Sequence, residues 1–375
     1  MRTILFISNI TYKITSFSSS SIYAAHNMGM RFIHAANWSE TPAAQRAKLE
    51  KENKIIIRNV PISRSPFSLS NIKAYREICR IIRENQVDYI HCNTPVGGLL
   101  GRLAGRKCGV RKILYQAHGF HFYQGAPKKN WLVYHTVEKL LARCTDVIVT
   151  MNSEDYANAQ KFRLRSGGRV YNVPGVGIDL SEYDGISQFR ESKRRELGIR
   201  DDETVLISMG DLILRKNYQT AVEAIAACKD PKLKYLICGK GEELEHLKKL
   251  AGELGVQQQI RFLGYRTDIK ELLAAADLFL FTTLQEGMPR SMMEAMAAGL
   301  PCIASEIRGN VDLIENGKGG FLCDPRSPEE FAAAIRKCDA ETRRRFRESN
   351  LETVKKLDIH IIEQEIEDIY KHEFV

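Results

Sequence analysis

"DLFLFTTLQEGMPRSMMEAMAAGLPCIAS", Asp277 to Ser305, contains a whole strand–loop–helix–strand unit. "DLFLFTT" (277–283) is a short continuous apolar run, the pattern of a parallel strand buried on both faces. Gly287 is permissive, and Pro289 can start a helix but cannot sit inside one. Arg290 to Ala298 is rich in helix formers, and Gly299 and Pro301 stop it. "PCIAS" (301–305) is then a second strand. The unit carries two carboxylates. Glu286 lies on the loop just before the helix, and Glu294 lies eight positions on, inside it.

The same alternation extends through the chain. The second half offers strands at "TVLISMG" (204–210), "KYLICG" (234–239), "QIRFLG" (259–264) and "GGFLC" (319–323). The first half offers "RTILFIS" (2–8), "KIIIRN" (54–59), "DYIHC" (88–92), "KILYQA" (112–117) and "DVIVT" (146–150). Helical patterns such as 69–84, 96–108 and 130–143 lie between them. Alternating strands and helices imply a doubly wound parallel sheet, and two such series imply two α/β domains. "PGVGID" (174–179) is the linker candidate, giving domains 1–177 and 178–359. Ligands of such sheets bind at the carboxyl ends of the strands, so two facing domains predict a cleft. The polar run "SFSSSS" (16–21) reads as a mobile loop.

A chain of 375 residues, 44% hydrophobic and 27% charged, is ordinary for a globular protein with a sizeable core. No apolar run is long enough to span a bilayer, and "MRTILFISNI" reads as a strand, not a signal peptide. The nine cysteines include no Cys-x-x-Cys and read as reduced, buried small hydrophobes, which fits the cytosol. Charge is uneven. Through Ile178 there are 26 Lys and Arg against 10 Asp and Glu; beyond it, 29 against 36. A basic half predicts an anionic partner: nucleic acid, an anionic membrane or a phosphate-bearing ligand. A merely solvated basic surface is the plainer alternative.

There is no P-loop, zinc spacing or nucleophile elbow. His118 and His121 in "AHGFHF" lack an evident third metal ligand. "GDLILRKN" (210–217) follows a strand and opens a helix, so its backbone N–H groups, with Arg215 and Lys216, form a phosphate site. In "ICGKGEE" (237–243), Gly239 and Gly241 let a ligand approach the backbone closely. Glu286 and Glu294 can accept hydrogen bonds from paired sugar hydroxyls, while the N–H groups of Gly287 to Arg290, Pro289 excepted, can serve phosphate oxygens.

The E-x7-E pair, preceded by an apolar strand and followed by "EAMAAGLP", resembles the retaining GT-B glycosyltransferases of group 1 (family 4). "HCNTPVGGLLGRLAG", "AHGFHFYQGAPKKNW", "VPGVGIDL", "LICGKGEEL" and "EIRGNVDLIENGKGGFLCDP" resemble their bacterial capsule and exopolysaccharide subgroup. The resemblance runs from about Thr11 to Pro325. It implies GT-B architecture: two Rossmann-like domains facing a cleft, with a last helix (about 360–375) crossing back to the first domain. In its terms, Glu294 holds the ribose hydroxyls and Glu286 the donor sugar. Lys216 neutralises the diphosphate, and the amides of Gly287 and Met288, beside Pro289, contact sugar or phosphates. Gly264 and Tyr265 border the base, and His118 faces the reacting sugar. Asp211 stands where many relatives have arginine, and Arg215 is the candidate replacement. Asn93 and Gln116 depart from the subgroup's usual residues, and residues 11–21 lack a double glycine.

The implied reaction retains anomeric configuration. The acceptor hydroxyl attacks from the face the nucleotide leaves, a leaving-group oxygen takes its proton, and domain closure excludes water. No metal and no cofactor is implied; the co-substrate is a nucleotide-sugar, with uridine the usual base. The acceptor implied is a polyprenyl-diphosphate-linked saccharide at the inner face of an anionic membrane. Arg102, Arg106, Lys107, Arg111, Lys112, Lys128 and Lys129 are the candidates to meet acceptor or membrane, making the protein peripheral and cytoplasmic. The alternatives are a soluble or protein acceptor, a non-catalytic sugar-nucleotide binder, and a nucleic-acid binder. No reader motif supports the last.

Overall fold

The computed structural model describes residues 1–165 and 167–374. The chain forms two compact units. One is Met1–Gly177 with Ile359–Val375, and the other is Ile178–Asp358.

The first unit holds a seven-stranded sheet of β1 (Thr3–Ile10), β2 (Arg31–Asn37), β3 (Ile56–Asn59), β4 (Tyr89–Asn93), β5 (Lys112–Gln116), β6 (Val147–Thr150) and β7 (Arg169–Asn172). Its order is β3-β2-β1-β4-β5-β6-β7, and every pairing is parallel. Side chains alternate across a strand, so β1 feeds two cores. Leu5 and Ile7 pack with Ile78, Ile82, Leu100 and Ala104 on one face. Ile4 and Phe6 pack with Ile362, Ile366, Tyr370 and Phe374 on the other. Ile362, Ile366 and Tyr370 come from the helix Ile359–Glu373 and Phe374 directly follows it; Glu373 also accepts from Lys112 at 3.3 Å and Tyr171 at 2.8 Å.

Two readings of this unit are corrected. "SFSSSS" is not a loop but the start of the helix Ser16–Asn27, entered at Thr15, whose N–H donates to Ser18 Oγ at 3.3 Å. Serine's small size suits the site: Ser18, Ser20 and Ser21 are buried in a helix that packs on Ile359–Glu373, and Ser18 also lines a pocket with His118. The segment at 130–143 is also not a plain helix. A turn at Lys128–Asn130 leads into a π-helical turn at Trp131–His135, then the helix Thr136–Ala142.

The second unit holds β8 (Thr204–Met209), β9 (Leu233–Cys238), β10 (Ile260–Gly264), β11 (Leu278–Phe281), β12 (Cys302–Ser305) and β13 (Gly320–Cys323), in the order β10-β9-β8-β11-β12-β13. All pairs are again parallel. Val205, Ile207 and Met209 face one core and Leu206 the other. The order reverses between β8 and β11, so their carboxyl ends open the crevice where such sheets bind ligands. All nine cysteines are free thiols, seven of them buried.

Candidate active site

The loops after β8 and β11 meet at that switch point. A 3₁₀ turn, Leu214–Lys216, follows β8 and ends at Asn217 in the left-handed region (φ 53°), which asparagine tolerates. Asn217 Nδ2 donates to the Thr282 carbonyl at 3.0 Å and to the Pro325 carbonyl at 2.8 Å, stitching the loops together. Thr282 Oγ1 donates back to the Asn217 carbonyl at 2.7 Å. Leu284 N–H donates to the Arg215 carbonyl at 2.9 Å.

This scaffold brings the adjacent Arg215 and Lys216 to Glu286, 71 and 70 positions further along the chain. Glu286 Oε1 accepts from Lys216 Nζ at 2.7 Å, Thr283 Oγ1 at 2.9 Å and Arg215 Nη1 at 3.2 Å. Arg215 Nη1 also donates to the Gln285 carbonyl at 2.6 Å. Two cations thus converge on one carboxylate beside the N-terminus of the helix Arg290–Ala297. Pro289, buried, caps that helix, and its carbonyl accepts from Met292 and Met293 N–H. Met288 packs against the core behind it. Glu294 lies one turn into the helix, with Oε1 accepting from Arg290 Nε at 2.9 Å. The neighbouring Glu294 carboxylate, after burial, helps hold the Tyr183 phenol protonated well above its usual range.

Gly239 has a packing reason of its own. A Cβ there would lie 1.9 Å from the Gly210 carbonyl, so the close neighbour is the adjoining loop. Gly241 is the same, at 2.1 Å from the Leu212 carbonyl. Gly264 adopts φ 68° in open space and accepts from Gly239 N–H at 2.8 Å, and the following Tyr265 is 73% exposed. Arg308 and Gly309 were not singled out from the sequence. Arg308 Nε donates to the Glu286 carbonyl at 3.0 Å, and a Cβ on Gly309 would lie 2.4 Å from the Gly287 carbonyl. Both brace the Glu286 loop from the β12 side. Only the quoted "EIRGN" run hinted at them.

In the first unit His118 follows β5. Its Nε2 lies 2.6 Å from Asn93 Oδ1, and its Nδ1 lies 3.2 Å from Met151 Sδ. Phe17 meets the ring edge-on at 4.7 Å. Burial lowers the His118 pKa to about 4, so the ring is neutral at pH 7. His118 lines a pocket of about 270 Å³ with Phe6, Ser8, Asn9, Phe17, Asn93 and Thr94 among its walls. None of its lining residues is a lysine, arginine, aspartate or glutamate. Thr94 has φ 65°, a strained value for a β-branched residue. Asn9 Oδ1 holds it there, accepting from Thr94 Oγ1 and Gly97 N–H, each at 2.8 Å. Asn93, read from the sequence only as a departure, is thus the residue that orients His118. Its own Nδ2 is buried without a protein partner. His121 lies elsewhere, 4.8 Å from the Tyr134 ring.

The basic candidates divide. Arg102 is fully buried and cannot meet a membrane or acceptor. Its guanidinium grips Glu138 at 2.7 and 3.1 Å and lies 3.8 Å over the Tyr115 ring, while Nε donates to the Gly98 carbonyl. A buried arginine needs such pairing, and Glu138 provides it. Lys112 is half-buried beside Glu373. Arg106, Lys107, Arg111, Lys128 and Lys129 are exposed.

Family models agree with this geometry. Residues 17–151 match the glycosyl transferase 4-like model and residues 189–352 match glycosyl transferases group 1. The chain is 38% identical over 282 residues to a Bacillus subtilis (strain 168) protein named "Putative glycosyltransferase EpsD", covering 74% of each. It is 29% identical over 272 residues to an Escherichia coli UDP-Gal:alpha-D-GlcNAc-diphosphoundecaprenol alpha-1,3-galactosyltransferase, covering 71% of this chain and 70% of the relative. Among solved structures, Anabaena HepE in complex with UDP superposes with a TM-score of 0.80 at 21% identity, over 99% of this chain and 100% of that one. HepE has also been solved with UDP-glucose. The matched folds are GT-B, and the chain belongs to the group 1 glycosyltransferases.

Proposed function

We propose that this glycosyltransferase moves a sugar from a UDP-sugar to a polyprenyl-diphosphate-linked saccharide, with retention at the anomeric carbon, in surface polysaccharide biosynthesis. The observation that carries the reading is the convergence of Lys216 and Arg215 on Glu286 at the switch point. A nucleoside diphosphate leaving a sugar develops negative charge on its terminal phosphate. Fixed cations and helix N–H groups stabilise such charge without reorganising. Lys216 and Arg215 supply the cations, and the N–H groups of Gly287 and Met288 the dipoles. In this reading the two cations serve the diphosphate while Glu286 turns to the sugar hydroxyls. Glu294, partly buried in the helix that follows the loop, takes the ribose hydroxyls.

With that charge met by side chains, the chemistry needs no divalent metal. The acceptor oxygen forms its bond to the anomeric carbon as the bond to the diphosphate oxygen breaks. Its proton passes to that departing oxygen. Neutral His118, oriented by Asn93, hydrogen-bonds the reacting sugar and does not act as a cation. The lipid-linked acceptor draws support from the diphosphoundecaprenol in the name of the E. coli relative, and the uridine from that name and from HepE. No helix among the described residues is long and apolar enough to cross a membrane, so the reading is of a protein peripheral to the inner face.

The test is transfer of labelled sugar from a panel of UDP-sugars to polyprenyl-diphosphate N-acetylhexosamine in the presence of EDTA. A product with the donor's anomeric configuration, absent with Glu286→Ala, supports the reading. An inverted product, or transfer only with added metal, overturns it.

A further inference from the structure

With Arg102 buried, the exposed members of the basic set include Lys128 and Lys129, which open a segment running through the π-helical turn Trp131–His135 to Arg143. Its inner side is anchored by rings. Trp131 lies 5.4 Å and His135 5.1 Å from Phe122, and His135 lies 5.5 Å from Phe162. Trp131 Nε1 donates to the Tyr123 carbonyl at 3.2 Å, and Asn130 Nδ2 to the His121 carbonyl at 3.0 Å. The outer side carries Leu132 (74% exposed), Val133, Val137 and Leu140 (55% exposed). Positions 133, 137 and 140 share a helix face, so this is a contiguous apolar strip and not scattered exposure.

Cations surround the strip. Between Lys128 and Arg143 there are four cations, Lys128, Lys129, Lys139 and Arg143, and one carboxylate, Glu138. That carboxylate is turned inward and neutralised by Arg102. Leu103, Arg106 and Lys107 are also exposed on the helix Pro95–Cys108, which the Arg102–Glu138 pair ties to this segment. The outward face therefore combines aliphatic side chains, a half-exposed tryptophan and positive charge only. A second copy would bring like charge against like. A bilayer with anionic headgroups offers both an apolar interior and the opposite charge.

We infer that Lys128–Arg143 is a membrane-docking surface that inserts Leu132, Val133, Val137 and Leu140 into an anionic leaflet while its lysines and Arg143 meet the headgroups. The inference deepens the proposed function, resting on it only for the reason a membrane is there.

Trp131 makes the test direct. The chain has two tryptophans, and Trp38 is fully buried, so a lipid-dependent change in emission reports Trp131. Full-length protein is titrated with phosphatidylcholine vesicles with and without phosphatidylglycerol, and binding is read by emission and by co-sedimentation. The expected result is a blue shift and sedimentation with the anionic vesicles, weakened by salt. Leu132→Asp with Leu140→Asp should lower partitioning at least about tenfold. Lys128→Ala and Lys129→Ala should each lower it about fivefold. Leu132→Ser with Leu140→Ser is the milder variant should the aspartates impair folding. No binding, equal binding to neutral and anionic vesicles, or a lipid-independent shift that follows protein concentration overturns the inference. The last would mean that a second copy covers the face. UDP-induced thermal stabilisation, measured on the same samples, reports separately on the functional reading, so either can fail alone.

Discussion

The carboxyl edges of the two sheets carry opposite kinds of chemistry. At the edge of β8 and β11, two cations and a carboxylate lie within hydrogen-bond reach of one another. At the edge of β4 and β5, a neutral histidine and an asparagine line a pocket with no lysine, arginine or carboxylate. Yet the second half of the chain is the acidic one and the first half the basic one. Net charge therefore says little about a site. The first unit spends one arginine in its interior and shows others on its surface, while its pocket stays neutral. The second unit concentrates cations where a departing diphosphate would need them.

The contrast can be broken most forcefully at Glu286. Glu286→Ala removes the partner of Lys216 and Arg215 and should cut transfer by about 10³-fold, near 4 kcal/mol, with melting little changed. Full activity in that variant would end the assignment. Arg102→Ala tests the claim that this charge is structural. It strands Glu138 in the core and should cost about 3 kcal/mol or more of stability, read as a clear fall in melting temperature. Glu294→Ala should weaken UDP binding by about tenfold or more, measured by calorimetry, with the loss traced to the ribose by comparing uridine nucleotides with ribose-free diphosphate.

Acid provides a finer probe of the neutral pocket. Burial lowers His118 to about 4 and His34 and His91 each to about 3, from 6.5. Below pH 6.5 the unfolded chain takes up protons that the folded rings refuse. The histidine contribution is thus fully present above pH 6.5 and is lost as pH falls toward 4 and then 3. Melting temperature should decline over that window, and His91→Gln should flatten the decline. Activity should show no His118 titration between pH 5 and 8. The smallest effect is expected at Arg106. Arg106→Ala should leave melting almost unchanged, in contrast to Arg102→Ala four positions away on the same helix.

Much of the fold was legible because buried parallel strands are written as continuous apolar runs, as "TVLIS" and "DLFLF" are. β2 and β7 were not legible. "RFIHAAN" is broken by a histidine that only the folded core explains, and "RVYN" is a half-exposed edge strand. The serine run failed for a different reason. Its polar composition reads as loop, but the helix Ile359–Glu373, more than 300 positions away, makes small buried residues the right choice. At the site, Arg215, Lys216 and Glu286 stood out because each sits at a strand–helix junction. Arg308, Gly309 and Asn93 did not, since their roles are to brace a loop or orient a ring, and those contacts exist only once the chain has folded. Arg102 misled because sequence counts a charge without showing which way it points.

The most direct measurement is the thermal shift produced by UDP in EDTA, for the wild-type chain and for Lys216→Ala. About 2.7 kcal/mol of stabilisation is expected at roughly 100 times the dissociation constant, without metal and largely lost in the variant. No stabilisation by UDP, stabilisation that requires a divalent metal, or equal stabilisation of Lys216→Ala would contradict it.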